Sequence, residues 1–177
     1  MPAKTKMLFI LIGDDCTGKT TLQKLIIERL CGLKYETLKV NLGFNIMHPE
    51  IKRKYEKASF GNRSYQEKKE TYNSVEEYFD KHFNPTDIAF ISSHLYPNDV
   101  EEMIQKGKEQ FYNVYGVFFS NSIENNRTVN AQISALNWDE RIVLDNPITD
   151  DHTLITSQLV TNADSLIFFL VNRTNIS

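Results

Sequence analysis

The chain has 177 residues, of which 41% are apolar, with a formal net charge of −3 and an isoelectric point near 5.8. This size and apolar content suit one globular domain over residues 1–177, with a core that needs neither disulfides nor a structural metal. The acidic balance argues against a dedicated duplex-DNA binder, which usually carries a basic patch. The two cysteines form neither a disulfide framework nor a zinc ligand set, which favours a reduced, cytoplasmic setting. We find no apolar run near the roughly 18 residues of a membrane span, so no membrane partner is expected.

Strands and helices are predicted to alternate along the chain. Strands are expected over residues 7–12, 37–42, 87–92, 112–120 and 165–171, and helices over 19–30, 64–83, from 98 or 99 onward, 121–136 and 150–163. A basic segment runs from His48-Pro49 to Gly61. This alternation predicts an α/β fold in three layers, a five-stranded, mainly parallel sheet flanked by helices. Ligands of such sheets bind beyond the carboxyl ends of the strands.

A phosphate-binding loop is predicted between the first strand and the first helix. Residues 13–20 read GDDCTGKT, the pattern G-x-x-x-x-G-K-[ST], in which backbone amides surround a polyphosphate and Lys19 reaches its β- and γ-phosphates. The hydroxyl of Thr20 is expected to bind Mg²⁺. The residues expected to hold the nucleotide are Gly13, Asp14, Asp15, Cys16, Thr17, Gly18, Lys19, Thr20 and Thr21.

The longer string from Gly13 to Leu22 resembles the loop of thymidylate kinases and phage-type deoxynucleotide kinases, which read G-x-D-x-x-G-K-[ST]-T. The resemblance implies a P-loop kinase fold that uses ATP and Mg²⁺, with Lys19 and Asp15 as catalytic residues and Asp15 orienting a deoxynucleotide or nucleoside-like acceptor. It also implies an acceptor-binding insertion over about 43–84 and a lid-like segment over about 121–141. Such kinases usually end strand three with Asp-Arg, where this chain has Ser92-Ser93-His94.

Phosphoryl transfer needs cations around the equatorial oxygens of the transferred group. Arg127, in the lid-like segment, is the candidate lid cation, and Arg141 is either functional or a salt-bridged surface residue. Arg53 or Arg63 is the candidate clamp for an acceptor phosphate, because the planar guanidinium grips phosphate better than lysine does. Both lie among lysines that could equally form a solvated helix face. His94 either donates to the acceptor or is structural.

Aromatic residues offer candidate platforms for a base. Phe44 and Tyr96 follow predicted strand ends, where a ring could stack on the acceptor. Tyr72 and Phe79, at helical spacing within 64–83, are more typical of core, although the same aromatic stripe could supply a homodimer face.

Three functions are compatible with these features. The leading one is an ATP- and Mg²⁺-dependent kinase of a nucleotide or nucleoside-like acceptor. The second is a kinase of a modified base or an end on DNA, motivated by the basic insertion from Lys52 to Lys69. The third is a nucleotide-binding regulatory protein without turnover, motivated by the missing acid at strand three.

Overall fold

The computed structural model describes residues 4–38 and 41–176, which form an α/β structure. Its strands are β1 (Lys6–Ile12), β2 (Leu42–Asn45), β3 (Lys57–Phe60), β4 (Ile88–Ser93), β5 (Tyr112–Phe119) and β6 (Glu140–Leu144). Its helices are α1 (Lys19–Cys31), α2 (Lys69–Tyr72), α3 (Val75–Lys81), α4 (Pro97–Glu109), α5 (Ser120–Asn125), α6 (Arg127–Ser134) and α7 (His152–Asn175). Short 3₁₀ turns cover Ile51–Arg53 and Gln66–Lys68.

The sheet is mixed, with the strand order β2-β3-β4-β1-β5-β6. Its neighbouring strands run parallel except for the antiparallel pair β2 and β3. The central strand β1 sends Phe9 and Leu11 into a core layer with α1 and α7, and Leu8 and Ile10 into an opposite layer with α3 and α4. Because β1, β4 and β5 are parallel, their carboxyl ends meet at one edge, where the amide of Gly13 donates to the carbonyl of Ser93 at 3.1 Å.

The expected α/β class, the mainly parallel sheet and three of the predicted strands are confirmed, but the number of strands is six and not five. Strand β6 was missed because it has only five residues, begins with two charged ones and lies at the sheet edge. Strand β3 lies in the segment interpreted only as basic. Of the strand predicted over 37–42, Leu42 alone is described in a strand, and residues 39 and 40 lie outside the described part of the chain.

The predicted strand over 165–171 is wrong, because these residues continue α7. The buried residues of α7 include Leu159, Ala163, Leu166 and Leu170, spaced three or four apart as on one helix face. Phe168 is 67% exposed on another face. By length and composition alone α7 could cross a membrane, although core helices of soluble proteins pass the same test.

The single helix predicted over 64–83 is also wrong. The chain forms a 3₁₀ turn, α2 and α3 instead, with a break at Asn73, whose φ is 61°, and at Ser74, which caps α3 by accepting from the amide of Glu77. The aromatic stripe is buried, as expected for core. Its members Tyr65, Tyr72, Phe79 and Phe83 are each at most 8% exposed. The helix predicted over 121–136 is likewise divided, into α5 and α6.

Candidate functional site

The loop of residues 13–18 joins β1 to α1 through backbone that favours glycine. Gly18, the N-cap of α1, has φ 102°, and a Cβ there would lie 2.8 Å from Cδ2 of Leu159 on α7. A Cβ on Gly13 would lie 2.7 Å from the hydroxyl of Thr17. Both glycines therefore allow a close approach that a side chain would prevent. Cys16, exposed, also has a positive φ of 61°.

Lys19 folds back over this loop. Its Nζ donates to the carbonyls of Gly13 at 2.5 Å and of Asp14 at 2.6 Å. Burial lowers the pKa of Lys19, opposed by the neighbouring negative charges, foremost those of Asp14 and Asp15. The ammonium is thus a partly desolvated cation inside the loop, where phosphate oxygens could replace the carbonyls as its partners.

Two side-chain oxygens lie together where α1 meets the end of β3. The hydroxyl of Thr20 donates to Oδ1 of Asn62 at 3.2 Å, and Asn62 is oriented by its own bond to the carbonyl of Leu38 at 2.8 Å. Hydroxyl and amide oxygens are suitable ligands for Mg²⁺, which also keeps several waters. Thr20 and Asn62 could therefore hold the metal. Thr21, exposed in the first turn of α1, has no described contact with them.

An acid–histidine cluster lies at the mouth of the loop, on the side of β3 and β4. One side-chain ligand atom from each of Asp15, Glu67 and His94 lies within 4.8 Å of the others, and Nε2 of His94 is 3.7 Å from Oδ1 of Asp15. The sequence predicted Asp15 and His94 as site residues, and the structure brings them together.

Glu67 enters this cluster through a capping box, the pattern S-x-x-E. Its carboxylate accepts from the amide of Ser64 at 2.9 Å, while its own amide donates to the Ser64 hydroxyl at 3.3 Å. Burial tends to raise the pKa of Glu67, but the Ser64 hydrogen bonds and the nearby Arg63 outweigh it, so the net shift is downward. Arg63, a predicted phosphate clamp, is 3.6 Å from this carboxylate. Glu67 is therefore a charged carboxylate already paired with Arg63.

Gln66 connects the cluster to a cleft. Its Nε2 donates to the hydroxyl of Ser93 and to the carboxylate of Asp99, both at 3.1 Å, and its Oε1 accepts from the amide of His94 at 3.1 Å. The cleft has a volume of about 500 Å³. It is lined by Gln66, Lys69, Tyr96, Pro97, Asn98, Asp99 and Gln132. Tyr96, a predicted base platform, is 57% exposed here.

Asparagines hold the loop from the opposite side. The carbonyl of Thr17 accepts hydrogen bonds from Nδ2 of Asn146 at 3.1 Å and from Nδ2 of Asn121 at 3.4 Å. Asn126 donates to the carboxylate of Asp14 at 2.9 Å. A cavity of about 240 Å³ lies beside the loop. Its other walls are Asn125, Pro147, Ile148, Thr149, Ile155, Gln158 and Leu159. Oδ1 of Asp14 and Oδ1 of Asn121 are buried without a partner among the described atoms, so this side offers unused acceptors.

Three predicted site residues lie elsewhere. Phe44 is 8% exposed and packs against Tyr35 and Phe60, so its faces belong to the core. Arg127 lines a separate cavity of about 370 Å³ together with Arg141, Asn130, Ser134 and apolar residues. Arg53 is exposed in the 3₁₀ turn, with no described contact to the loop.

The end of β4 is neutral. Gln23, fully buried on α1, donates to the hydroxyl of Ser92 at 2.9 Å and to the carbonyl of Gly61 at 3.2 Å. This network occupies the strand end where an acid is usual in the kinases that the loop resembles.

No family model matches the sequence, and no curated protein is significantly similar to it.

Sequence reasoning did not identify five of the residues that contact the loop or its acid–histidine cluster, namely Asn62, Gln66, Glu67, Asn126 and Asn146. Of these, Glu67 carries a usable signal, since Ser64-x-x-Glu67 is a capping-box pattern. The single asparagines and Gln66 have no pattern that separates them from other surface amides.

Proposed function

We propose that the protein is an ATP- and Mg²⁺-dependent phosphotransferase acting on a nucleotide or nucleoside-like acceptor. The observation that carries this proposal is Lys19, whose partly desolvated ammonium is held by the carbonyls of the loop that would surround a polyphosphate. A cation placed this way can exchange two carbonyls for phosphate oxygens without leaving the loop.

The proposed role of each residue follows from its position around the loop. Loop amides would bind the phosphates, Lys19 would bridge the β- and γ-phosphates, and Thr20 with Asn62 would hold Mg²⁺. The metal, when bound, would neutralise charge on the phosphate oxygens. Asp15 would orient the acceptor at the mouth of the loop.

The cavity beside the loop is suited to the nucleoside part of ATP. Ile148 and Ile155 provide apolar walls, and Asn125 and Gln158 provide amides for polar edges. Gly18 also lines this cavity, so a base bound there would lie close to the loop that binds the phosphates.

The test is ATP binding by calorimetry in Lys19→Ala, with Lys24→Ala as the matched control. Lys24 lies on the same helix and donates instead to the carbonyl of Glu36. Lys19→Ala should lose measurable ATP affinity and all ATP-dependent phosphorylation while its circular dichroism is unchanged. Lys24→Ala should behave like the wild type. Equal ATP affinity in both variants would refute the proposal.

A second candidate, a nucleotide-binding regulatory protein, is favoured by the neutral end of β4. Lys19-dependent ATP binding without phosphorylation of any nucleoside, nucleotide or DNA would support it over the kinase.

A further inference from the structure

The acceptor side of the loop carries carboxylates. Asp15 and Glu67 belong to the acid–histidine cluster, and Asp99, which lines the cleft, is connected to that cluster through its hydrogen bond with Gln66. The side chain of Asp15 is 84% exposed, so its charge faces the solvent that an acceptor must displace. An approaching acceptor therefore meets negative charge first.

Among residues 4–38 and 41–176, the described contacts place Arg63, Lys69 and, when it is protonated, His94 on this side. Arg63 is paired with Glu67, and Lys69 stands at the wall of the cleft. Arg127 and Arg141 line another cavity, where Arg141 donates to the carbonyl of Ser134 at 3.1 Å. A phosphate monoester carries between one and two negative charges near neutral pH. Such a group would meet these carboxylates without an arginine already free to pair with it.

The cleft has the chemistry of a site for a neutral ring compound. Tyr96 presents an exposed aromatic face, and Gln66, Asn98 and Gln132 present amides that can both donate and accept. Stacking on an aromatic side chain is a common way of holding a base. Gln132 belongs to α6, so this helix supplies one wall.

Resting on the proposed function, we infer that the group phosphorylated is a hydroxyl of a neutral, nucleoside-like acceptor bound in the cleft of Gln66 and Tyr96, and that Asp15 accepts the hydroxyl proton. The hydroxyl oxygen attacks the γ-phosphorus of ATP and forms the new O–P bond. The bond from the γ-phosphorus to the β,γ-bridging oxygen breaks, and its electron pair leaves with ADP. The hydroxyl proton passes to the Asp15 carboxylate.

His94 and Gln66 act as positioning residues in this scheme. His94 is within 3.7 Å of Asp15, and its amide is fixed by Gln66, which also binds Ser93 and Asp99. The base at the loop and the cleft for the acceptor are thus connected through one amide side chain.

The test is a panel of the common nucleosides and their 5′-monophosphates, each incubated with Mg²⁺ and ATP, with products identified by mass spectrometry. Nucleosides should be converted to monophosphates, and the monophosphates should give no diphosphates. Asp15→Asn should lower turnover at least about a hundredfold with ATP affinity retained, as expected for loss of a base. The matched control is Asp80→Asn, an exposed acid on α3 outside the site, which should retain activity.

A second variant tests the charge argument directly. Glu67→Gln preserves the capping pattern, which accepts glutamine as well as glutamate, but removes the charge. It should strengthen inhibition by a nucleoside monophosphate about threefold or more at low salt and leave inhibition by the uncharged nucleoside unchanged, because only the charged ligand feels the carboxylate. An equal effect on both ligands would contradict the inference.

His94→Gln tests whether His94 positions the Asp15 carboxylate or only stabilises the fold. It should lower kcat with little change in the KM for ATP. An unchanged kcat would remove His94 from the scheme.

The outcomes distinguish this inference from the proposed function. Phosphorylation of monophosphates, or Lys19-dependent ATP binding with no nucleoside turned over, overturns the hydroxyl acceptor and leaves the nucleotide site standing. Absence of Lys19-dependent ATP binding refutes the proposed function itself.

Discussion

Gly18→Ala is expected to destabilise the ligand-free protein through two separable effects. The residue has φ 102°, and a left-handed backbone costs a non-glycine residue about 1–2 kcal/mol. The new Cβ would also lie 2.8 Å from Cδ2 of Leu159, which is 4% exposed and belongs to α7. Overpacking of a buried contact typically costs about 1–3 kcal/mol, so the expected total is about 2–5 kcal/mol.

Gly32→Ala is the matched control, because it has the strain without the clash. Gly32 ends α1 with φ 71°, and its Cβ would meet nothing within 4 Å. It should therefore cost only about 1–2 kcal/mol. Both variants are compared with wild type by urea unfolding, with the free energy of unfolding taken at a common slope.

The double variant Gly18→Ala with Leu159→Ala isolates the contact. Leu159→Ala alone should cost about 2–5 kcal/mol, and the pair should cost about 1–3 kcal/mol less than the sum of the single changes, because the clash is gone. Equal losses in Gly18→Ala and Gly32→Ala, together with additivity in the double variant, would refute the packing of α7 against the loop.

Two further predictions concern titratable groups. Iodoacetamide at pH 8 should label Cys16, which is exposed, and spare Cys31, since burial raises the pKa of that thiol to about 12; labelling of folded Cys16→Ser would contradict this. Burial raises the pKa of Tyr112 to about 12, so the folded state keeps a proton that the unfolded chain loses near pH 10. The stability from this group is fully present below about pH 10 and is lost as the pH rises toward 12, so Tyr112→Phe should make the fall in unfolding free energy over that interval less steep, as measured by urea unfolding at each pH.

The predictability of the fold follows the strength of local signals. Strand β1 and the loop were predictable because an apolar run, glycines and a helix signal are contiguous. The run over 165–171 could not be assigned from sequence, since a short apolar stretch fits a buried strand or a helix, and the contacts of α7 with α1 decide the matter. The apolar run of strand β6, Ile142 to Leu144, is only three residues long, and its position beside β5 depends on tertiary pairing.

The predictability of the candidate site also depends on whether its residues are close together in sequence. The donor side is local, because the loop and Lys19 lie within eight residues of Gly13. The acceptor side is assembled from Asp15, Glu67 and His94, which are far apart in sequence. Asp15 and His94 follow the parallel neighbours β1 and β4, and Glu67 follows β3, which is parallel to β4. Arg127 was predicted from its place in a lid-like segment, and the structure shows it lining a separate cavity, which sequence alone does not reveal.

The neutral end of β4 reflects the packing beneath it, and Ser92→Asp tests this. Ser92 is 3% exposed and accepts from Gln23, whose Oε1 is buried without a partner among the described atoms. A carboxylate here would lose water, and the described partner of Ser92, the Gln23 amide, supplies no compensating charge. A poorly compensated buried polar group costs about 1–3 kcal/mol, more when charged. Ser92→Ala, which removes only the hydroxyl, should cost about 1 kcal/mol. Urea unfolding at pH 7 should therefore rank Ser92→Asp well below Ser92→Ala in stability. Equal stability of the two variants would mean that the strand end tolerates an acid.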